Sequence, residues 1–183
     1  MCKPYRLGIT VGRFQLFHRG HQEMIEKALS LCEKVCVLIG SSQESGTEKN
    51  PFSYEMREAL LRRIYGEEIC IFPLPDIGVG NNSRWGEYVL GRVEECVGQK
   101  PDLLVSGKEA RRVDWFGGAQ GLSVAELYIP KTIDISASRL RTLMIENRRE
   151  EWQKYCDERL WDSFCEMRDI VLSAQDNHET ASL

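Results

Sequence analysis

Short apolar segments alternate with longer amphipathic segments along almost the whole chain. The apolar segments have the length and composition of strands and lie at residues 7–12, 35–42, 68–77, 102–107 and 122–130. Helical spacing of apolar side chains occurs at residues 21–34, 53–66, 83–98 and 136–147. The segment at 35–42, "VCVLIGSS", is almost continuously apolar, as expected of a strand buried on both faces. This alternation predicts an α/β fold, with a Rossmann-like, doubly wound parallel sheet of about five strands.

The length of the chain, 183 residues, favours one domain with a small addition. We expect residues 1–147 to form the Rossmann-like domain. Residues 148–183 are expected to form a helical C-terminal extension packed on the same domain, because residues 150–174 read as an amphipathic helix. The last residues, "QDNHETASL", are polar, and we expect them to be frayed.

The overall charge and the cysteine pattern exclude several classes of protein. A net charge of −4 and a pI near 5.5 give no general affinity for nucleic acid or for an anionic membrane surface. The seven cysteines are scattered and form no zinc-binding pattern, so we expect free thiols in a reducing compartment. The N-terminus lacks the apolar core of a signal peptide, and no apolar run approaches the roughly 20 residues of a membrane span. The sequence therefore predicts a cytoplasmic protein with no membrane partner.

A parallel sheet binds its ligands at the carboxyl ends of its strands. Four loops follow the first four predicted strands and are therefore expected at one edge of the sheet: "GRFQLFHRGH", "GSSQESG", "PDIGVGNN" and "SGKEARR". The first of these loops holds two of the protein's three histidines, His18 and His21. They lie at the start of a predicted helix, where free N–H groups and a partial positive charge favour phosphate. Together with Arg13, they predict an anion-binding site.

Two other interpretations of the histidine pair were weighed. A metal site is disfavoured because the sequence places no carboxylate and no third ligand beside the two histidines. A structural interpretation, with one histidine capping the helix and the other at the surface, is disfavoured because the loop also carries an arginine and flanking glycines.

Two segments resemble the signatures of a known superfamily. "GRFQLFHRGH" resembles the H-x-G-H signature of the adenylyl- and cytidylyltransferases, and "ISASRLR" at 135–141 resembles their second signature, I-S-x-[ST]-x-x-R. The two occur in the expected order, and the resemblance extends over about residues 7–144. It implies a nucleotidyltransferase.

Further segments are similar to one branch of that superfamily, the nicotinamide-nucleotide adenylyltransferases of the archaeal type and of the bifunctional bacterial regulator. These segments are G-R-F-Q, "GSSQ" at 40–43, "NPF" at 50–52 and "PDIGVGNN". Two positions depart from the branch: Leu16 replaces a usual proline, and Lys49 replaces a common arginine, so that charge is kept but a bidentate fork is lost. The "PDIGVGNN" loop is also longer than in the archaeal enzymes.

The resemblance implies a set of site residues. ATP and nicotinamide mononucleotide would be the substrates, with Mg²⁺ bound mainly through the ATP phosphates and no protein metal ligands. His18, His21 and Arg141 would be the catalytic residues. The ATP-binding set comprises Gly12, Arg13, Phe14, His18, Gly20, His21, Lys49, Gly107, Ser136, Ser138 and Arg141. The acceptor-binding set comprises Gln43, Asn82 and Trp85, with the tryptophan stacked on the pyridine ring and the asparagine near its amide.

Several alternatives stay open at this point. Ser136 and Ser138 fit helix capping, Arg139 and Arg141 fit a solvated helix face, and Trp85 fits packing of a helix on the sheet. The acceptor could instead be nicotinate mononucleotide or phosphopantetheine, or the nucleotide could be CTP. A nucleotide-sensing module with weak turnover is the alternative of a different class. We expect the nicotinamide form to be preferred, and we expect a homo-oligomer.

Overall fold

The computed structural model describes residues 2–80, 82–109, 111–117 and 123–181. Its five strands are β1 (Tyr5–Gly12), β2 (Cys32–Gly40), β3 (Cys70–Leu74), β4 (Leu103–Ser106) and β5 (Ala125–Tyr128). Its helices are α1 (Arg19–Leu31), α2 (Tyr54–Tyr65), α3 (Ser83–Val97), α4 (Arg111–Phe116), α5 (Ala137–Ile145), α6 (Arg149–Gln153) and α7 (Phe164–Ala181). A 3₁₀ helix spans Glu158–Ser163.

All strand pairs are parallel, and the strand order is β3-β2-β1-β4-β5. Alternate side chains of β2 enter two different cores, as the period of a strand requires. Val35, Val37 and Ile39 pack on the face that carries α1, α2 and the C-terminal helices. Cys36 and Leu38 pack on the opposite face, against α3 and α4. The predicted α/β fold with a doubly wound parallel sheet is confirmed.

The start of β2 differs from the sequence prediction. Residues 32–34 continue a helical pattern, yet α1 ends at Leu31 and β2 begins at Cys32. Cys32 is already extended and pairs with Tyr5 of β1. The strand pairing therefore overrides the local helical pattern, and no loop separates the helix from the strand.

The C-terminal segment is not one continuous amphipathic helix. It divides into α6, the 3₁₀ helix and α7, because residues 154–157 turn towards the start of α1. The backbone N–H of Arg19 donates to the Tyr155 carbonyl at 2.8 Å, and the Gln22 side chain donates to Asp157 at 3.0 Å. Trp152 and Phe164 lie in the same core as Ile25 of α1. The extension thus supports the helix that carries the two histidines.

Two further differences concern the second half of the sheet. The short helix α4 begins at Arg111, inside the loop predicted at "SGKEARR", and continues to Phe116. The strand predicted at 122–130 is shorter, and its first residue, Leu122, lies outside the described residues. The polar segment expected to fray continues α7 as far as Ala181. None of the helices in the described part of the chain is long and apolar enough to cross a bilayer.

The contact between α3 and α4 depends on Gly86. A Cβ atom at this position would lie 1.9 Å from the carbonyl oxygen of Trp115 in α4, whereas a Cβ at Gly91 in the same helix would meet nothing within 4 Å. We predict that Gly86→Ala lowers the free energy of unfolding by about 2–3 kcal/mol, because the two backbones must separate. Gly91→Ala is the control and should be neutral or stabilising by about 0.5–1 kcal/mol. Equal effects in urea unfolding would contradict this account of the contact.

Candidate active site

A large cavity opens at the carboxyl ends of the strands, as expected of a parallel sheet. Its volume is about 960 Å³, at the upper end of the roughly 300–1,000 Å³ that small-molecule sites occupy. Its walls come from the loops after β1, β2, β3 and β4, from the segment after β5, and from the start of α5. Segments that are far apart in the chain therefore surround one cavity.

The structure brings most of the predicted site residues into this cavity. The lining residues among them are Gly12, Arg13, Phe14, His18, Gly20, His21, Trp85, Gly107, Ser136, Ser138 and Arg141. Lys49, Gln43 and Asn82 do not line it. Gln43 instead accepts a hydrogen bond from the Asp76 backbone at 3.0 Å. Asn82 caps α3 by accepting from the N–H groups of Arg84 and Trp85, so its side chain is already engaged.

The two histidine rings are stacked on each other at the start of α1. Their centroids are 3.8 Å apart and their planes differ by 21°. His18 is the N-cap residue of the helix, but its side chain caps no N–H group, and His21 lies in the first turn. Gly20 makes room for the stack, because a Cβ atom there would lie 3.2 Å from the His18 ring. The Phe14 ring packs edge-on against His21 at 4.8 Å.

Burial keeps both histidines neutral. Desolvation, assisted by the charge of Lys131, lowers the pKa of His18 to about 4. Desolvation and then the neighbouring His18 lower the pKa of His21 well below its usual value. The Nδ1 atoms of both rings are buried without a hydrogen-bond partner among the described residues. Each neutral ring carries one N–H group, so the pair can serve a ligand oxygen without adding positive charge.

Arg13 and Arg141 contribute positive charge to the cavity, which Lys108, Arg111 and Lys131 also line. Arg141 donates to the Gln15 carbonyl at 2.9 Å and to Ser138 Oγ at 3.3 Å. Burial, followed by the charge of Arg13, lowers the pKa of the Arg141 guanidinium. Neither arginine forms an ion pair within the described part of the chain. Positive charge without a protein counterion favours an anionic ligand.

The start of α5 completes this wall. Ser136 is the N-cap residue, and its hydroxyl accepts from the N–H of Arg139 at 3.2 Å. Both Ser136 and Ser138 also line the cavity, so capping and ligand binding are compatible here. Arg139 points elsewhere and forms an exposed ion pair with Glu151 at 3.4 Å. The alternative of a solvated helix face therefore describes Arg139 and not Arg141.

Trp85 and Trp115 form an aromatic wall of the cavity. The two rings are 6.5 Å apart and nearly perpendicular. The guanidinium of Arg111 lies 5.1 Å from the centre of the Trp115 ring. Sequence analysis missed Trp115, because it lies in the short helix α4, beyond the loop predicted at 106–112, where no element was predicted. No signal in the sequence marks it as a cavity residue.

Gln15 and Arg57 were also missed. Gln15 is buried and exchanges two hydrogen bonds with the Phe52 backbone, at 2.9 and 3.0 Å, which ties the loop after β1 to the "NPF" segment. Arg57 is 1% exposed and donates to four backbone carbonyls near the cavity floor. Both residues lie in segments that the resemblance covers, but a single sequence does not reveal which groups they contact.

Comparison with known proteins agrees with this geometry. The model of the cytidylyltransferase-like family matches residues 9–143. Fold and site together thus define a nucleotidyltransferase of the cytidylyltransferase-like class. Nicotinamide-nucleotide adenylyltransferase of Thermococcus kodakarensis is 32% identical over 153 residues, which cover 80% of this chain and 76% of the relative. The enzyme of the same name from Archaeoglobus fulgidus is 29% identical over 160 residues, covering 81% and 84%. This chain belongs to the nicotinamide-nucleotide adenylyltransferases.

The fold also occurs in a solved structure. The crystal structure of a bifunctional NMN adenylyltransferase/ADP ribose pyrophosphatase from Francisella tularensis superimposes with a TM-score of 0.68 at 21% identity. The match covers 95% of this chain and 53% of the other, so this chain spans about half the length of the bifunctional protein.

The lowered pKa of His18 predicts a pH dependence of stability. Between pH 6.5 and about 4 the unfolded chain binds a proton at His18 that the folded protein does not, so stability falls as the pH falls through this window. The loss is at most about 3.5 kcal/mol, since one pKa unit corresponds to roughly 1.4 kcal/mol. We expect urea unfolding of the wild type to show this loss, and His18→Gln to show less of it. Parallel pH profiles for the two proteins would contradict the neutral, buried state of His18.

Proposed function

We infer that the protein joins ATP and nicotinamide mononucleotide to give NAD and pyrophosphate. Membership of the nicotinamide-nucleotide adenylyltransferases supports this reaction. The observation that carries it is the convergence of His18, His21, Arg13 and Arg141 on one cavity that also holds an aromatic wall. A site that joins two nucleotides needs groups that bind phosphate and a flat surface on which a ring can stack.

The reaction is a direct displacement. A phosphate oxygen of nicotinamide mononucleotide attacks the α-phosphorus of ATP, the bond from this phosphorus to the bridging β-oxygen breaks, and pyrophosphate leaves. The protein supplies no nucleophile for this step. It holds two anions that repel each other, aligns them, and stabilises charge on the phosphorus oxygens.

The phosphate wall is formed by Arg13, His18, His21, Ser136, Ser138 and Arg141. It aligns the phosphates and stabilises their charge through groups of two kinds. Arg13 and Arg141 provide fixed positive charge, and Arg141, with Ser136 and Ser138 at the start of α5, holds the β- and γ-phosphates. The neutral histidines donate N–H groups to the ATP phosphates as charge develops there. Gly107 directly follows β4. Because it has no side chain, the backbone at this position can lie close to the adenine ring of ATP. A Cβ atom at Gly107 would lie 3.1 Å from Met24 of α1, so the position is sterically restricted.

Mg²⁺ enters with ATP and binds mainly through phosphate oxygens and water. Among the described residues, no group of three or more histidine, cysteine, aspartate or glutamate side chains could hold a metal ion. The cavity carboxylates are engaged in the protein: Glu23 accepts from Thr132, and Asp76 accepts from Ser41. This donor set fits a metal carried by its substrate. When bound with ATP, such an ion would supply positive charge that neutralises the phosphates.

The aromatic wall is proposed as the acceptor side. Trp85 offers its indole face to the cationic pyridinium ring, an interaction of about 1–2 kcal/mol when partly desolvated. The nicotinate form adds a carboxylate that an amide-binding pocket leaves partly unpaired, so the nicotinamide form is preferred. The contact from Asn82 to the carboxamide and the roles of Gln43 and Lys49 stay predictions, because those side chains do not line the cavity. A homo-oligomeric state likewise stays a prediction.

Pyrophosphate release across a panel of substrates tests the proposed function. ATP and CTP are each combined with nicotinamide mononucleotide, nicotinate mononucleotide and phosphopantetheine, and the nucleotide product is identified by mass. We expect ATP with nicotinamide mononucleotide to give the highest kcat/KM and NAD as product. A higher value for another pair would replace the substrate assignment, and binding of ATP without turnover on any acceptor would favour a sensing module.

We predict that Arg141→Lys does not preserve activity. Lysine keeps the charge but lacks the planar fork that binds the Gln15 carbonyl, Ser138 and phosphate together. We expect kcat/KM to fall by about 10²-fold, the loss typical of one preorganised donor, with weaker ATP binding. Steady-state kinetics with ATP varied measures this. Arg139→Lys is the matched control and should stay near wild type; full activity of Arg141→Lys would make Arg141 a diffuse charge only.

Trp85→Ala tests the acceptor side separately. Loss of the stacking surface should raise the KM for nicotinamide mononucleotide about tenfold, since about 1.4 kcal/mol is a factor of ten, and should leave the KM for ATP almost unchanged. Tyr88→Ala is the control, because Tyr88 packs 5.4 Å from Trp85 but does not line the cavity. Equal weakening of both substrates would show that the acceptor pocket is misplaced, and an unfolded variant would assign Trp85 to the core.

A further inference from the structure

The buried side chain of Arg57 connects the ends of two neighbouring strands. From α2 its guanidinium donates to the carbonyl oxygens of Arg13 and Gly40, each at 2.8 Å, and to that of Ser41 at 3.2 Å. Its Nε donates to the carbonyl of Ser53, the N-cap residue of its own helix, at 3.0 Å. One planar group thus binds the first turn after β1, the last residue of β2 and the residue that follows it.

Two of the three described non-glycine residues with positive φ lie directly beside these carbonyls. Phe14 follows Arg13 and has a φ of 50°, and Ser41 follows Gly40 and has a φ of 47°. The left-handed region is unfavourable for a phenylalanine and uncommon for a serine. Such conformations persist only where the surrounding structure holds them. Three of the four hydrogen bonds from Arg57 are a specific restraint at these two places: one at the first turn and two at the second.

Each of the two turns positions groups of the cavity. At the first turn the Phe14 ring lies over Gly12, where a Cβ atom would be 3.1 Å away, and packs against His21 at 4.8 Å. The same turn directs the Arg13 side chain into the cavity. At the second turn the Ser41 hydroxyl donates to Asp76 at 2.6 Å, in the loop after β3 that also lines the cavity. Arg57 therefore connects the phosphate wall with the side on which the aromatic wall lies.

Only arginine has the donors that this position uses. A lysine ammonium is a point charge with three donors on a flexible stem and cannot form the same planar arrangement. Arg57 has no carboxylate partner within ion-pair distance in the part of the chain described, so the carbonyl oxygens balance its charge. Its hydrogen bonds consequently serve the two turns rather than an ion pair.

We propose that Arg57 is a positioning residue for nucleotidyl transfer: it holds the turns at Phe14 and Ser41 so that Arg13 and His21 meet the reacting phosphates in alignment. This inference rests on the proposed function. It predicts that loss of the guanidinium lowers kcat in protein that is fully folded, since a misplacement of about 1 Å can cost 10²-fold in rate.

The test compares Arg57→Lys and Arg57→Ala with Arg62→Lys and Arg62→Ala. Arg62 lies on the same helix and also donates to two backbone carbonyls, those of Gly66 and Ile69, but away from the cavity. Thermal unfolding is measured first, and kcat is then measured well below each midpoint. We expect both Arg57 variants to lose about 10²-fold in kcat. Free guanidinium at tens of millimolar should restore Arg57→Ala about tenfold, while sodium chloride at equal ionic strength should not. The Arg62 variants should keep wild-type kcat and show no such rescue.

A second measurement is independent of turnover. Amide hydrogen exchange at residues 13–15 and 40–42 should be faster in Arg57→Lys than in the wild type and unchanged in Arg62→Lys. An inactive wild-type protein would contradict the proposed function, whereas amide hydrogen exchange would still test whether Arg57 restrains the two turns. A folded Arg57→Lys with wild-type kcat and exchange would overturn the proposal. An Arg57→Lys that does not fold would also overturn it, because the role would then be structural.

Discussion

β1 lies at the centre of the sheet, and the chain changes direction on either side of it. From β1 the chain proceeds outward through β2 to β3, and it then returns to the other side of β1 as β4. A parallel sheet that is wound in two directions leaves a crevice at the carboxyl ends of the strands where the direction changes. The turn that leads to His18 and His21 follows β1, and Gly107 follows β4. The position of the cavity and much of its lining therefore result from this topology.

The cavity contains two kinds of hydrogen-bond donor, neutral histidines and charged arginines, and burial is what keeps the histidines neutral. The histidines are stacked 3.8 Å apart, and at this distance two imidazolium ions would repel each other and the nearby arginines. Because desolvation keeps both rings neutral, the positive charge in the cavity comes from arginine and lysine side chains, Arg13 and Arg141 among them, and not from the histidines. The histidines then act as oriented donors, which cost no reorganisation when charge develops at the phosphorus.

The sequence predicted the parts of this structure that local patterns encode. Strand and helix alternation predicted the parallel sheet, and motif resemblance predicted that the neighbouring His18 and His21 would share a site with Arg141, which follows more than a hundred residues later. Arg57 and Trp115 were not identified from the sequence, because their roles depend on tertiary contacts that leave no periodic pattern. Asn82 directly precedes the predicted helix at 83–98 and is a preferred N-cap residue, so its capping of α3 was open to prediction, but the resemblance assigned it to the acceptor instead. Likewise, the break at residues 154–157 arises from a tertiary contact with α1, which overrides an amphipathic pattern.

The central claim is that the protein transfers the adenylyl group directly, by positioning two substrates, with no covalent intermediate. The stereochemistry at the α-phosphorus tests it. ATP that carries sulfur in place of one nonbridging α-oxygen, as a single stereoisomer, is converted with nicotinamide mononucleotide, and the configuration of the dinucleotide product is determined by phosphorus NMR. The account predicts inversion, since one in-line displacement inverts the centre. Retention of configuration would indicate two displacements through an adenylylated protein side chain and would contradict the account.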